Sequence, residues 1–306
     1  MSPFFSIIIP TYNQCDLLKK AIHSVEKQTF TNYEVIVIDN NSSDGTSEFL
    51  EKKKNLIYKK INNNGIIAKS RNLGIGLAKG QWVSFLDSDD IWFEDKLAKT
   101  FDKIEEGNFD VICNDEWIIN SFNTEKKIWS YGPYERNFYK KLILFGNRNS
   151  TSATSVKRFF LLNNNVKFNE KSEFVTAEDY EFFLNIALKN GVFNYINIPL
   201  GAHLFHDKSE SAKLNRSFEV QKNVIKYHVY NHQKFSKKDK LWKKIKILYE
   251  IKSSFLSLKN HIKISKIFNI FCLVFNIPII SFFLFVFLIK KLIRQYKLQK
   301  KYNFIL

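Results

Sequence analysis

Three carboxylates within four residues, Asp87, Asp89 and Asp90, close the apolar run Trp82-Val83-Ser84-Phe85-Leu86. Acids this close repel one another unless a cation or a donor-rich ligand lies among them. Oxygen ligands at the end of a parallel strand, where open α/β sheets bind ligands, suit Mg²⁺ or Mn²⁺ bridging a diphosphate. The same residues could instead be a solvated loop capping the next helix, because Asp favours helix N-termini. Asp39 ends a second apolar run, Glu34-Val35-Ile36-Val37-Ile38, on the sheet edge shared by Pro10 and Asp87. Its carboxylate can accept from a base N–H or a ribose hydroxyl, or cap the Asn-rich turn that follows. Arg71, on the segment leading into the acidic strand, could reach a phosphate or remain a solvated helix residue. Glu178-Asp179 is a further acidic pair, at the start of a helix whose dipole alone favours acids.

The elements that must position these groups alternate. Phe5-Ser6-Ile7-Ile8-Ile9, bounded by Pro10, reads as a buried strand. Leu17, Leu18, Ala21, Ile22 and Val25 recur at helical spacing, and Glu34 to Ile38 is the second strand. The turn Asn40-Asn41-Ser42-Ser43-Asp44-Gly45-Thr46 leads into a helix through Lys53; a third strand covers Leu56 to Ile61 and another helix Ile66 to Ala78, stopped by Gly80. Strands separated by helices at this spacing imply βαβ units and a mostly parallel sheet, an α/β fold. Beyond it, Phe93 to Glu106 reads as a helix that Asp90 would open, Asp110 to Asn114 as a strand, and Ser152 to Phe160 as a strand and turn. Residues 115–148 carry Trp117, Trp129, Tyr131, Tyr134 and Tyr139 without a clean period; such rings can stack on a sugar or simply pack the core.

Of the 47 Lys and Arg residues, 21 lie in residues 212–306, with only 3 of the 30 acids, so the first 211 residues are near neutral. That asymmetry divides the chain into a catalytic-type unit, 1–211, a basic, partly amphipathic helical region, 212–266, and an apolar segment with a basic end, 267–306. The apolar series Leu241, Ile245, Leu248, Ile251, Phe255, Leu258 and Ile262 forms a helical stripe that could meet a membrane or pack on the catalytic unit. Residues 267–289 are 23 uncharged residues, about 35 Å as a helix at ~1.5 Å per residue. Pro278 and basic flanks on both sides favour an interfacial or re-entrant segment over a simple span. Cys15, Cys113 and Cys272 have no ligand spacing, which fits a reducing cytosol. Phe4 to Pro10 is too short for a signal peptide, which again implies a cytoplasmic front half. No Gly-x-Gly-x-x-Gly or Gly-Lys-Ser/Thr follows a strand, arguing against dinucleotide-binding and P-loop proteins.

Four ordered motifs, Ser6-Ile7-Ile8-Ile9-Pro10-Thr11-Tyr12-Asn13, Val37 to Thr46, Arg71-Asn72-x-Gly74 and Phe85 to Asp90, together resemble family 2 glycosyltransferases. The resemblance implies a GT-A fold and an inverting transfer from a nucleotide-diphosphate sugar, expected to be a UDP-sugar. It places Pro10, Thr11, Tyr12, Asp39 and Arg71 at the donor, Asp87 near ribose and diphosphate, and Asp89 on a divalent metal ion, Mn²⁺ or Mg²⁺. Ala177-Glu178-Asp179-Tyr180-Glu181 resembles the family's segment bearing the general base, which makes Asp179 the base and Glu178 its support or an acceptor contact. An Arg usual later in that helix is replaced here by Asn185 and Lys189. Leu204-Phe205-His206 resembles the stretch where a His completes the metal shell or meets phosphate; His203 competes with His206. Imidazole suits Mn²⁺ better than Mg²⁺.

The expected function is sugar transfer to a saccharide acceptor, lipid-linked, in capsule or O-antigen (lipopolysaccharide) synthesis at the cytoplasmic face of a bacterial inner membrane. The alternatives are a non-catalytic nucleotide-sugar binder and a nucleic-acid-binding protein with a basic tail. The uncharged run inside that tail argues against nucleic acid as a partner, since phosphate grooves want charge throughout.

Overall fold

The structure, a computed structural model, describes residues 2–120, 126–205, 214–232 and 237–258. β1 (Phe5–Thr11) is apolar and β-branched and is buried along its whole length, as a strand covered on both faces must be. It lies between β2 (Tyr33–Asp39) and β4 (Trp82–Phe85), parallel to both, and β3 (Ile57–Lys60) extends the parallel set beyond β2. Alternate side chains feed two cores. Ile8, Ile36, Ile38, Val83 and Phe85 enter one; Phe5, Ile7, Ile9, Val35 and Val37 enter the other, the period of two that a strand imposes. α1 (Cys15–Glu26), α2 (Thr46–Glu51) and α4 (Lys96–Glu105) cover the second core. The first is covered by α3 (Ile67–Leu77), α5 (Phe138–Phe145), α6 (Arg158–Asn163) and α7 (Glu178–Leu188).

The parallel half follows from the βαβ spacing, but beyond β4 the sheet is mixed. β8 (Thr154–Lys157) is antiparallel to both β4 and β6 (Val111–Asn120), whereas β9 (Phe193–Phe205) runs parallel to β6. β5 (Asp90–Trp92) and β7 (Lys126–Trp129) add antiparallel pairs on β9 and β6, giving the order β3-β2-β1-β4-β8-β6-β9-β5 with β7 on β6. Register shifts around Asn114, Asp115 and Trp117 interrupt the β6–β9 ladder, and such bulges bend and twist a sheet. The helix expected from Phe93 begins at Lys96 instead, and Asp90 is no cap for it, because Asp90–Trp92 is drawn into pairing with β9.

One close approach sets the site. A Cβ on Gly74 would lie 2.5 Å from Ile8 Cγ2, so only glycine lets α3 press onto β1. Arg71, one turn earlier on α3, is thereby held against the sheet's ligand edge.

α8 (Leu214–Asn231) and α9 (Lys238–Leu258) bury Val224, Ile225, Val229, Ile245 and Tyr249 in the core that also holds α5 and α7. The apolar stripe of the basic region therefore packs on the front half in its described part. The apolar segment 267–289 and His206 lie outside the described residues. Among the described residues, no helix is long and apolar enough to cross a membrane.

Candidate active site

The ends of β1, β2 and β4 meet along one edge. Pro10 is buried, and Thr11 is only 5% exposed, with an Oγ1 that has no hydrogen-bond partner. Its hydroxyl can donate to or accept from a ligand group at this edge. Tyr12, 56% exposed, flanks it. Asp39 is wholly buried at the end of β2. Its Oδ1 accepts from Ser42 N–H at 3.0 Å and Ser42 Oγ–H at 2.5 Å, and its Oδ2 accepts from Tyr58 O–H at 3.2 Å. The turn-capping role is thus filled, and with about four acceptor sites on a carboxylate, one on Oδ2 stays open.

Arg71 is the junction. It is 3% exposed, and its Nη2 donates to Asp87 Oδ1 at 2.8 Å while Nη1 donates to Glu178 Oε1 at 2.7 Å. One guanidinium so ties the acidic loop after β4, 16 positions from Arg71 in the chain, to the start of α7, 107 positions from it. The two carboxylates hold it protonated against the cost of burial. Glu178 Oε2 also accepts the N–H of Thr176, whose φ of +84° turns the chain into the helix. Asp179, next in sequence, accepts from Asn147 Nδ2 at 3.0 Å. Burial, and then the neighbouring Glu178 charge, push the Asp179 carboxyl up to about 7, although Arg71 pulls the other way. A carboxyl poised there can take a proton near neutral pH.

Asp89 is half-buried on the loop beside Asp87. Among the described residues, no three His, Cys, Asp or Glu side chains form a metal cage. The carboxylates present fit an ion that is shared with a diphosphate, since Mg²⁺ and Mn²⁺ bind through one or two carboxylates plus phosphate oxygens. His203 does not compete for that ion through Nδ1, which pairs with Asp90 Oδ1 at 2.9 Å. Asp90 pushes the His203 imidazole up to about 10.

Asn147 and Ser152 were not legible as site residues. Both belong to the loop between α5 and β8; Asn147 lies in the stretch without periodicity and Ser152 opened a segment read as strand and turn, and only the fold brings them to Asp179 and to Asp87. Of the aromatic residues that could grip an acceptor, Trp117, Tyr131 and Tyr139 are core, while Trp129 and Tyr134 remain exposed at 46% and 43%.

The family model described as "Glycosyl transferase family 2" matches residues 6–163. An uncharacterized glycosyltransferase of Rickettsia bellii is 43% identical over 141 residues, covering 45% of this chain and 20% of that protein. The chain thus spans about a fifth of that relative's length. The poly(ribitol-phosphate) β-N-acetylglucosaminyltransferase TarP of Staphylococcus aureus is 30% identical over 250 residues, 74% of each chain. The UDP-Glc:α-D-GlcNAc-diphosphoundecaprenol β-1,3-glucosyltransferase WfaP of Escherichia coli is 29% identical over 232 residues, 72% of this chain and 85% of that one. Among solved structures, S. aureus TarS 1–349 with UDP-GlcNAc superposes at a TM-score of 0.61 and 22% identity, covering 80% of this chain and 72% of that one. The mannosyltransferase PcManGT of Pyrobaculum calidifontis with GDP-Man and Mn²⁺ superposes at 0.58 and 18% identity, covering 83% and 72%. These structures share its α/β fold with a mixed, curled sheet, the GT-A fold. With the family model covering more than half of its 306 residues, the chain belongs to glycosyl transferase family 2.

Proposed function

We propose that this chain transfers a sugar from a nucleoside-diphosphate sugar, with UDP as the nucleoside diphosphate, to an acceptor hydroxyl with inversion. The observation that carries this reading is the Arg71 bridge, which sets the acidic loop of Asp87 and Asp89 beside Asp179. Donor end and base are then presented to one space. Thr11 and Asp39, with Pro10 and Tyr12 beside them, line the edge for the nucleoside, and the open acceptor site on Asp39 suits an N–H of the base. Asp87 and Asp89 face the diphosphate. Asp89 would hold a divalent cation, with His206 as a further ligand, and when bound that cation neutralises charge on the leaving diphosphate.

In the transfer, Asp179 accepts the proton of the acceptor hydroxyl as that oxygen bonds to the anomeric carbon from the face opposite the leaving group. The bond from the anomeric carbon to the diphosphate oxygen breaks, and the electron pair leaves with the nucleoside diphosphate. No covalent nucleophile is needed. Asn147 orients the Asp179 carboxyl by donating to Oδ2. Glu178 holds Arg71, which holds Asp87.

The names of TarP and WfaP, a polyol-phosphate and a diphosphoundecaprenol enzyme, support a cell-surface polymer or its lipid-linked precursor as acceptor. The basic excess of residues 212–306 supports attachment to an anionic membrane surface at the cytoplasmic face, peripheral or re-entrant. The decisive experiment is Asp179→Asn, assayed with a panel of nucleotide sugars and lipid-linked saccharides. Donor affinity should persist and transfer should fall by at least about 100-fold, the contribution of a general base. Near-normal transfer would exclude Asp179 as the base.

A further inference from the structure

The loop from Asp87 to Asp90 must keep two donor-facing acids at a fixed separation against their own repulsion. Arg71 steadies the Asp87 side chain, but it touches neither the loop's backbone nor Asp89 in any contact described above. The loop is held from behind by Ser152, which is 1% exposed. Ser152 Oγ accepts from the Asp87 N–H at 3.0 Å and donates to Asp90 Oδ2 at 2.5 Å. The Ser152 carbonyl accepts from Trp92 Nε1 at 2.8 Å. A serine hydroxyl has one donor and two acceptor positions, so its donor is committed to Asp90 and one acceptor to Asp87.

Asp90 carries the restraint onward. It is 2% exposed, and its Oδ1 pairs with His203 Nδ1 at 2.9 Å and accepts from the Leu204 N–H at 3.3 Å. The beginning of the acidic loop, its end and β9 are thereby linked through three side chains from three separate parts of the chain. Ser88 Oγ adds a further tie, donating at 2.7 Å to Gln14 Oε1 on the loop before α1. Nothing about Asp90 as a helix cap explains this arrangement, because α4 starts six residues later, at Lys96.

We propose that Ser152, Asp90 and His203 are positioning residues, a clamp that presents Asp87 and Asp89 to the donor's diphosphate. They act through the loop and do not touch the substrate. The clamp rests on the nucleotide-sugar reading given above and extends it from Asp90, the last residue of the acidic motif, to Ser152 and His203 outside it. Pre-positioning two like charges removes an ordering cost that ligand binding would otherwise bear. Its loss should therefore weaken donor binding while leaving the acceptor side and Asp179 alone.

The test uses the full chain and two variants, Ser152→Ala and His203→Ala. Titration with UDP in the presence of Mn²⁺, followed calorimetrically, gives affinity and the fraction of competent protein separately, and thermal unfolding is measured alongside. Each variant should bind UDP with Mn²⁺ about tenfold more weakly, equivalent to ~1.4 kcal/mol, at full stoichiometry and with an unchanged acceptor KM. A purely structural role would instead lower the melting temperature or the competent fraction and leave the affinity of the folded protein as it was; that result overturns the clamp. His203 is a quarter exposed, with 25% of its side chain accessible, so His203→Ala decides the matter if Ser152→Ala does not fold. A wild-type chain that binds no nucleoside diphosphate overturns the nucleotide-sugar reading and the clamp with it. Wild-type binding matched by both variants overturns the clamp alone.

Discussion

Replacing Arg71 with Met keeps an unbranched apolar stem and removes the guanidinium that bridges two carboxylates at 2.7 and 2.8 Å. Removing one partner of a buried pair costs about 3–5 kcal/mol, because it leaves a charge buried and uncompensated. The Asp87 side chain is 28% exposed and Glu178's only 10%, so solvent screens the first and the second counts nearly in full. A loss of about 3 kcal/mol follows, a large share of the roughly 5–15 kcal/mol that a domain possesses. The loss should also depend on pH. Arg71 lowers the Asp179 pKa, and without it that carboxyl rises further above about 7. A carboxyl whose folded pKa exceeds its unfolded value contributes stability below the unfolded pKa, and this is lost as pH rises through the folded one. With the folded pKa moved upward in the variant, the decline continues beyond the point where the wild type levels off. The deficit should therefore grow between about pH 6 and about pH 8.5. Urea unfolding followed by tryptophan fluorescence at both pH values measures it. A deficit under ~1 kcal/mol at both, or one that shrinks as pH rises, would refute the assignment of Arg71 as the charge junction.

Further expectations follow from the same geometry. In wild-type enzyme, kcat/KM should fall on the acid side of about pH 7, as Asp179 takes up a proton and can no longer act as base; a profile flat down to pH ~5 would contradict that role. Gly74→Ala should cost about 1–3 kcal/mol in urea unfolding, because the added Cβ meets Ile8 Cγ2 at 2.5 Å inside the core. An unchanged midpoint would show that α3 is not pressed onto β1. Ending the chain after Leu258 should leave a folded, nucleotide-binding protein. Ending it at residue 211 strips Val224, Ile225, Val229, Ile245 and Tyr249 from the core, at about 1.5–3 kcal/mol each, and should give insoluble protein. A soluble, cooperative 1–211 fragment would mean that α8 and α9 are dispensable.

Much of the donor half was legible in sequence because its information is local. A strand buried on both faces must be an unbroken apolar run, as β1 is, and a polar residue can follow only where the strand leaves the core. Asp39 and Asp87 therefore announced themselves as edge residues. The acidic cluster announced a site because its self-repulsion demands a partner. The far half was not legible in this way. Whether β6 pairs parallel or antiparallel with a neighbour depends on strands as distant as β9, where Asn120 meets Phe205, and the pattern within one strand is indifferent to direction. The stripe on α9 was equally ambiguous, since the same apolar face can meet lipid or protein. In its described part, contact with α5 and α8 decides for protein.

The parallel βαβ frame and the identity of the chemical groups at its edge were already written in the order of residues, since hydrophobic period and residue type are properties of short segments. What those groups do to one another was set by folding. It buried Arg71 between Asp87 and Glu178, pushed Asp179 up toward neutrality, and gave Asp90 to Ser152 and His203 instead of to a helix end. Charge, burial and distance act through space, and residues 71, 87 and 178 become neighbours only after the chain has folded.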